Sequence, residues 1–267
     1  MVKDSRKLIV IFGPTSSGKT DLSLRLAKYT YGKYHIESEM VSADSRQLYK
    51  GMDVGTSKVS EDVRRKHPHH MIDIFLPTQE YSSQEFAHEA SKIIADIWAR
   101  GKMPMLVGGT GTYVMGLVGD RYLAASKTDR LPYDTLMLVP YFEREWLYRK
   151  VERTVEKMFQ DGLYEEIKGL VRQYGAVPKQ VANTHGYREF VEYAARGNKD
   201  IAQLTRADLA KIKSKIKADT KKYAMHQAGW FGKMEGYEVV KDFEQAKRLV
   251  DEFMDNGRSN KRSSFKG

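Results

Sequence analysis

Eight residues near the N-terminus constrain this chain more than any other stretch. The sequence GPTSSGKT at 13–20 fits the phosphate-binding P-loop pattern G-x-x-x-x-G-K-[ST]. An apolar run at 7–12 predicts a buried strand before the loop, and leucines at 22, 24 and 26 predict a helix after it. A strand, a glycine-rich loop and a helix N-terminus in this order direct backbone N–H groups at an anion. We therefore expect a di- or triphosphate to bind here.

The rest of the chain predicts an α/β fold. Short apolar runs alternate with helical patterns, which is typical of a parallel sheet flanked by helices. We expect strands at 7–12, 39–42, 70–74, 103–107, 134–139 and 236–240. Ser82 and Glu85 form a capping box before an apolar stripe, so a helix is expected at 82–100. Further helices are expected at 143–162, 187–196 and 205–231, and after Asp242.

These elements predict one domain, similar to the P-loop nucleotide kinases, at residues 1–255. Its helical portion is expected at about 141–232. The basic segment 256–267 is rich in Ser, Lys, Arg and Gly, and we expect it to be a disordered tail.

The composition excludes some functions and favours others. The chain of 267 residues has no cysteine, which excludes disulfides, a thiol nucleophile and a cysteine-based zinc site. No run approaches about 20 apolar residues, so we expect no membrane span and a cytoplasmic protein. The net charge of +10 favours a polyanionic partner such as nucleic acid. The lysines between Lys211 and Lys222 fit a phosphate-backbone contact and a solvated helix face about equally well.

Two loops after predicted strands carry candidate catalytic residues. Asp44 follows the second strand, where loops beyond the carboxyl ends of strands line the ligand crevice of an open α/β sheet. A carboxylate there can bind Mg²⁺ or act as a general base, and a helix-capping Asp is the alternative. The fourth strand ends in Gly108-Gly109-Thr110, where an ATPase commonly has an Asp. This argues against ATP hydrolysis, although Asp73 after another apolar run leaves that question open.

Taken together, these segments resemble the tRNA dimethylallyltransferase (isopentenyltransferase) family. The matching stretches are GPTSSGKT at 13–20, SADSRQLYKGMDVGTSK at 42–58, PHHMIDI at 68–74, YSSQEF at 81–86, KMPMLVGGTGTY at 102–113, LPYDTLMLVP at 131–140, HGYREF at 185–190 and DTKKYAMHQAGWF at 219–231. They cover most of the chain in order, and jointly they are far more specific than the P-loop. The resemblance implies transfer of a dimethylallyl group from dimethylallyl diphosphate to N6 of an adenosine in tRNA, next to the anticodon.

The resemblance also implies roles for individual residues. Asp44 would take the proton of the adenine amine, while Lys19 and Thr110 would stabilise the departing diphosphate, with Thr20 holding Mg²⁺. Ser45 and Gln47 would line the acceptor side. The residues expected to bind the diphosphate are Gly13, Thr15, Ser16, Ser17, Gly18, Lys19, Thr20 and Arg149. The partners would be dimethylallyl diphosphate and the anticodon stem-loop of tRNA, with no membrane, and we expect a monomer.

The chain departs from the family pattern in two places. Family members carry a helical insertion that clamps the anticodon stem-loop, between the segments here at 102–113 and 131–140. Only residues 114–130 separate those segments in this chain, so we expect the clamp to be missing. Arginines that contact the diphosphate in the family are matched by Lys150 and Thr154, while Arg149 and Arg153 come one residue earlier. One residue on a helix is about 100° of rotation.

Three other functions fit parts of this pattern. Adenylate isopentenyltransferases prenylate a free adenine nucleotide and also lack a large insertion. A P-loop small-molecule kinase would bind ATP at the same loop. A non-enzymatic RNA-binding relative is disfavoured by the intact P-loop and Asp44. The segments at 42–58 and 219–231, together with the net charge, favour tRNA as the acceptor.

Overall fold

The computed structural model of the protein describes residues 6–119 and 134–256. The strands of this part form one parallel sheet in the order β3-β2-β4-β1-β5-β6. They are β1 (Lys7–Phe12), β2 (Ser38–Ser42), β3 (His69–His70), β4 (Met103–Gly108), β5 (Asp134–Pro140) and β6 (Glu238–Val240). The predicted fold class, a P-loop α/β sheet flanked by helices, is confirmed.

Helices cover both faces of the sheet. In chain order those of the described residues are α1 (Lys19–Tyr34), α2 (Glu61–Lys66), α3 (Ser83–Ala99), α4 (Gly111–Val118), α5 (Arg144–Gln160), α6 (Leu163–Tyr174), α7 (Lys179–Ala182), α8 (Arg188–Gly197), α9 (Arg206–Phe231) and α10 (Phe243–Asn256). The predicted capping box is present before α3, since the Ser82 hydroxyl accepts the Glu85 N–H and the Glu85 carboxylate accepts the Ser82 N–H. Five of the helices, α5 to α9, make up the helical portion after the fifth strand.

The core lies on both sides of β1 because successive side chains of a strand point to opposite faces. Leu8, Val10 and Phe12 pack in the larger core cluster, with residues from α3 to α9. Ile9 and Ile11 pack in the second cluster with α1 and α10. Coverage of both faces is expected for a parallel sheet. It leaves the carboxyl edge of the strands as the place where polar loops gather.

The structure differs from the predicted elements in two places. The strand predicted at 70–74 ends at His70, because Met71 and Asp73 adopt positive φ angles of 60° and 57° that a strand cannot contain. The helix predicted at 143–162 ends at Gln160, and Gly162 with φ of 97° begins the next helix, α6.

Two other predicted segments lie mostly outside the described residues. Most of the short connection expected in place of the clamp lies outside them, and so does nearly all of the tail predicted at 256–267. Across 6–119 and 134–256, no helix combines the length and the apolar character needed to cross a membrane.

Candidate functional site

Three loops meet at the carboxyl edge of the sheet. The P-loop leaves β1, the loop with Asp44 leaves β2, and Gly108-Gly109 ends β4. A Cβ added to Gly108 would lie 2.2 Å from the carbonyl atoms of Ala43, so this close approach requires glycine. The Thr110 N–H also donates to the Ala43 carbonyl, at 3.1 Å. These contacts hold the Asp44 loop beside β4.

A cavity of about 290 Å³ opens between these loops and the helical portion. Its wall includes the P-loop residues Thr15, Ser16, Lys19 and Thr20, and it includes Asp44, Arg46 and Gln47 from the loop after β2. The predicted base and most of the predicted diphosphate-binding side chains therefore share one cavity. Part of the remaining wall comes from two loop segments, 55–59 and 183–186, and from Ile216, Thr220, Tyr223 and Gln227 of α9. Further lining residues are Ser23, Met40, Ser42, His69, Val107, Gly108, Gly109 and Met158.

The P-loop has the backbone conformation of an anion-binding turn. Gly13 and Gly18 have φ angles of 141° and 91°, and Ser16 has a φ of 64°. The Lys19 ammonium donates a 2.7 Å hydrogen bond to the Pro14 carbonyl of the same loop. Burial lowers the pKa of Lys19 to about 8, and the negative charge of Asp44 partly opposes that shift. The charges of Lys19 and Asp44 therefore interact electrostatically in the cavity.

Ser17 offers a further polar group inside the loop. Its side chain is buried, and its hydroxyl has no hydrogen-bond partner in the described part of the chain. Buried hydroxyls are normally paired, and an unpaired one calls for an explanation. A phosphate oxygen held in the loop is the partner that the P-loop pattern supplies. Gly13, Ser17 and Gly18 do not line the main cavity, and Ser17 and Gly18 line a second cavity of about 300 Å³, which Ser16 also lines.

Thr110 and Ser45 contact each other at the edge of the site, and neither is among the residues that line the cavity. The Thr110 hydroxyl accepts the Ser45 N–H at 2.9 Å and lies 3.2 Å from the Ser45 hydroxyl, to which it donates. These contacts fix the loop that carries Asp44. The contacts of Thr110 with the diphosphate and of Ser45 with the acceptor stay predictions. Gln47 does line the cavity, and its amide contacts the Thr56 carbonyl at 3.4 Å.

Thr154 of α5 contacts the P-loop, and Lys150 lines the second cavity together with residues 16–18. Arg149 lines neither cavity. The Thr154 and Ser16 hydroxyls lie 3.3 Å apart. Arg149 and Arg153 are exposed, and neither lines the cavity. Lys150 lies with its ammonium 5.2 Å from the centre of the Trp146 ring. The rotation between neighbouring helix positions thus decides which of these residues faces the loop.

Gln227 on α9 lies in the matching segment 219–231, but it was not among the site residues predicted from the sequence. Its side-chain oxygen accepts the Thr15 N–H at 2.9 Å, and its amide nitrogen donates to the Gly109 carbonyl at 2.8 Å. The residue is 7% exposed. It therefore joins the P-loop to the end of β4. The available signal was its spacing from Ile216, Thr220 and Tyr223, which places all four on one helix face.

Tyr223 is a second residue of this kind. Burial raises the pKa of its hydroxyl to about 12, and the nearby Asp44 carboxylate adds to the rise. The ring packs against the His185 imidazole with centroids 4.7 Å apart. The hydroxyl therefore stays protonated near neutral pH and can donate a hydrogen bond inside the cavity.

The lysines of α9 divide into two groups. Lys213 and Lys217 both donate to Glu156 of α5, at 2.7 and 2.5 Å, and Lys221 donates to Glu152 at 2.5 Å. These three join two helices, which weakens the expectation that they contact a phosphate backbone. Lys211 and Lys222 are exposed.

A magnesium ion fits the residues of this cavity. Within the described ranges there is no cluster of three or more His, Asp or Glu side chains that could hold a metal by itself. Thr20 and Asp44 nevertheless both line the cavity. Mg²⁺ commonly takes one or two protein oxygens and completes its shell with substrate phosphates and water. The hydroxyl oxygen of Thr20 and the carboxylate oxygens of Asp44 suit that kind of site.

Comparisons with known proteins agree on one family. The sequence profile of the family described as IPP transferase matches residues 47–131 and 120–234. A tRNA dimethylallyltransferase of Oenococcus oeni is 34% identical over 258 positions, which take in 92% of this chain and 94% of that protein. A tRNA dimethylallyltransferase 2 of Geotalea uraniireducens is 32% identical over 296 positions, covering 86% of this chain and 91% of the relative.

The same family appears among solved structures. The crystal structure of full-length tRNA isopentenylpyrophosphate transferase from Bacillus halodurans superposes with a TM-score of 0.76 at 27% identity. The match covers 93% of this chain and 95% of that one.

The alignment lengths bear on the expected loss of the clamp. The alignment with the Geotalea protein runs over 296 positions, more than the 267 residues of this chain, so that relative contains residues that are absent here. The Oenococcus alignment needs only 258 positions to cover 94% of its relative. A long insertion is therefore not common to all the relatives.

Proposed function

This chain belongs to the IPP transferase family, and we propose that it transfers the dimethylallyl group of dimethylallyl diphosphate to N6 of an adenosine next to the anticodon of tRNA. The observation that carries the proposal is the placement of Asp44 in one cavity with Lys19 and Thr20 of the P-loop. A proton acceptor beside a diphosphate site suits a reaction in which a weak nucleophile displaces diphosphate.

The donor binds at the P-loop through its diphosphate. Backbone N–H groups at the start of α1, the Lys19 ammonium and the Ser17 hydroxyl supply hydrogen bonds to its oxygens. As the bond between the allylic carbon and oxygen breaks, the electron pair leaves with the diphosphate, and these groups stabilise the growing charge. Mg²⁺ bound by Thr20 would add positive charge to the same oxygens. Binding of Mg²⁺ at Thr20 is thus part of what we propose.

The acceptor amine needs a base because its lone pair is delocalised into the adenine ring. Asp44 takes a proton from N6 as the bond from N6 to the allylic carbon forms. Thr110 and Ser45 act through the backbone by fixing the loop that carries Asp44. Tyr223 keeps its proton beside this carboxylate and can donate to a ring nitrogen of the base.

An RNA acceptor is favoured over a free nucleotide by two observations. The net charge of +10 suits a polyanion. The Oenococcus relative carries the name of a tRNA-modifying enzyme, although its alignment leaves no room for a long insertion. The short connection at 114–130 is therefore compatible with tRNA as the substrate. The monomeric state and the cytoplasmic location stay predictions.

The test is a transfer assay with labelled dimethylallyl diphosphate and two acceptors in parallel, an anticodon stem-loop and AMP. We expect label in the stem-loop, and none when its target adenosine is replaced by guanosine. Transfer to AMP with equal or better catalytic efficiency would overturn the tRNA assignment. Hydrolysis of ATP without any prenyl donor would instead indicate the kinase class.

A further inference from the structure

The carboxylate of Glu166 on α6 holds a loop that lies far away in sequence. One oxygen, Oε2, accepts the N–H groups of Asp53 and Val54 at 2.9 and 2.8 Å, and the other, Oε1, accepts the N–H of Gly55 at 3.0 Å. Three consecutive backbone donors thus converge on one side chain. Hydrogen bonds to an ionised acceptor are stronger than neutral ones, so the contact defines the path of this loop.

The same carboxylate reaches a second segment. The Tyr187 hydroxyl donates to Glu166 Oε1 at 2.6 Å, and the Tyr187 ring is fully buried. A Cβ added to Gly55 would lie 2.3 Å from this ring, so the loop and the tyrosine are packed without space between them. Glu166 therefore joins residues 53–55 to the start of α8.

Both segments continue directly into the cavity wall. The first segment ends at Gly55, and Thr56 and Ser57 follow it. Residues 183–186 come directly before Tyr187. All of these residues from Gly55 to Ser57 and from 183 to 186 line the cavity. We call the lining residues of 55–59 and 183–186 the loop wall. A Cβ added to Gly186 would lie 3.1 Å from the Gly55 carbonyl oxygen, so the two halves of the wall touch. The loop wall also meets Gln47, whose amide contacts the Thr56 carbonyl.

The hydrogen bonds of Glu166 within the described residues go to residues 53–55, which lead into this wall, and to Tyr187, and the P-loop is held separately by Gln227. We propose that Glu166 is a positioning residue for the acceptor: it shapes the loop wall against which the adenosine lies, without affecting the diphosphate site. This inference rests on the proposed function for the identity of the acceptor. The link between Glu166 and the wall does not depend on it.

A carboxylate is the group that this position requires. Four donors converge on its two oxygens, and each oxygen accepts two of them. Glutamine has a single acceptor oxygen, and its NH₂ group is a donor. Glu166→Gln therefore leaves at least one of the three backbone N–H groups without an acceptor, because the Tyr187 hydroxyl can accept from the new NH₂ group but a backbone N–H cannot. The neighbouring Glu165 is exposed and pairs with Lys168 one turn on, so Glu165→Gln is a matched control on the same helix.

The experiment compares wild type, Glu166→Gln, Tyr187→Phe and Glu165→Gln in the full chain. Steady-state kinetics give KM for the stem-loop acceptor and for dimethylallyl diphosphate, and calorimetry gives the affinity for inorganic diphosphate. Hydrogen exchange reports protection of the amides of Asp53, Val54 and Gly55. We expect Glu166→Gln to raise the acceptor KM at least about tenfold, as expected when charge-assisted hydrogen bonds are removed. The donor KM and diphosphate affinity should stay within about twofold, and exchange at the three amides should quicken.

Each result decides the inference. Tyr187→Phe removes one of the four hydrogen bonds and should change the acceptor KM in the same direction by less, which keeps the test valid if Glu166→Gln does not fold. Equal losses for donor and acceptor, or faster exchange with an unchanged acceptor KM, would show a purely structural role and overturn the proposal. If wild type transfers nothing, the proposed function fails, while binding of the stem-loop and of diphosphate by the variants still tests the positioning role.

Discussion

The cavity has two ends that are built in different ways. At the P-loop, eight consecutive residues, 13–20, run from the end of β1 into the first turn of α1 and supply the backbone and side chains of the diphosphate site. The loop wall instead combines segments 55–59 and 183–186 with a carboxylate from α6. The first is a local structure, because its residues are adjacent in the sequence. The second exists only when the helical portion is folded against the sheet.

The P-loop end also has one contact from a distant helix, through Gln227. It comes from α9, more than two hundred residues after the P-loop, and it occupies the N–H of Thr15. Even the local site therefore has one long-range support. Substitutions at the two ends should separate donor binding from acceptor binding, and a substitution at Gln227 should show how far the P-loop depends on the rest of the fold.

The largest effect is expected at Asp44, which lies between the two ends. Asp44→Asn should lower the rate of prenyl transfer by at least about 100-fold, the usual contribution of a general base. Diphosphate affinity should change little because the P-loop is intact. Rapid-quench measurement of single-turnover transfer tests this, with Asp21→Asn as the control, since Asp21 is an exposed carboxylate on α1 outside the main cavity. Near wild-type turnover would remove Asp44 from the mechanism.

Lys19 should separate the donor end from the acceptor end. Lys19→Ala removes a charged hydrogen-bond donor, so the affinity for dimethylallyl diphosphate should fall by roughly 10- to 100-fold. Binding of the stem-loop in the absence of donor should remain unchanged. Isothermal titration with each ligand measures both, and Lys33→Ala at the other end of α1 is the control. A parallel loss of stem-loop binding would show that the two ends are not independent.

Gln227 should give a smaller change at the same end. Gln227→Met leaves the buried Gly109 carbonyl without a partner, which costs about 1–3 kcal/mol, and it frees the part-buried Thr15 N–H at the cavity wall. We expect diphosphate affinity to fall about tenfold, together with a lower free energy of unfolding in urea. Gln84→Met on the exposed side of α3 should change neither. If only the free energy of unfolding changes, Gln227 supports the fold without shaping the P-loop.

The smallest effect concerns the lysines of α9. Because Lys213, Lys217 and Lys221 pair with Glu156 and Glu152, replacing them with alanine should leave the salt dependence of stem-loop binding nearly unchanged. Alanine at the exposed Lys211 and Lys222 should flatten the log–log slope by about 0.7 to 0.9 for each phosphate that is no longer neutralised. Filter binding across a salt series measures the slope. If the slope changed more for the three paired lysines than for Lys211 and Lys222, the ion pairs would have to open when RNA binds.

Local patterns in the sequence were sufficient for the fold class and for the chemical centre. The P-loop motif needs only its strand and helix, and Asp44 follows a strand whose parallel neighbours bring its carboxyl end to the same edge. Helix caps such as Ser82 were equally predictable, because a cap depends on residues three positions apart. The prediction of a strand at 70–74 was wrong beyond His70, because Met71 and Asp73 have left-handed backbone conformations. The Asp73 carboxylate pairs with Lys58 and Arg64 and does not line the cavity.

Only the tertiary structure decided which side chains face the cavity. Thr154 contacts the P-loop while Arg149 is exposed and does not line the cavity, because a helix turns by about 100° for each residue and its orientation is set by packing. Thr110 bonds to Ser45 because β2 and β4 are neighbours in the sheet. The contacts of Glu166 and Gln227 could not be derived from neighbouring residues, since the backbone groups that they bind lie more than a hundred residues away and meet them only when the helical portion packs against the sheet.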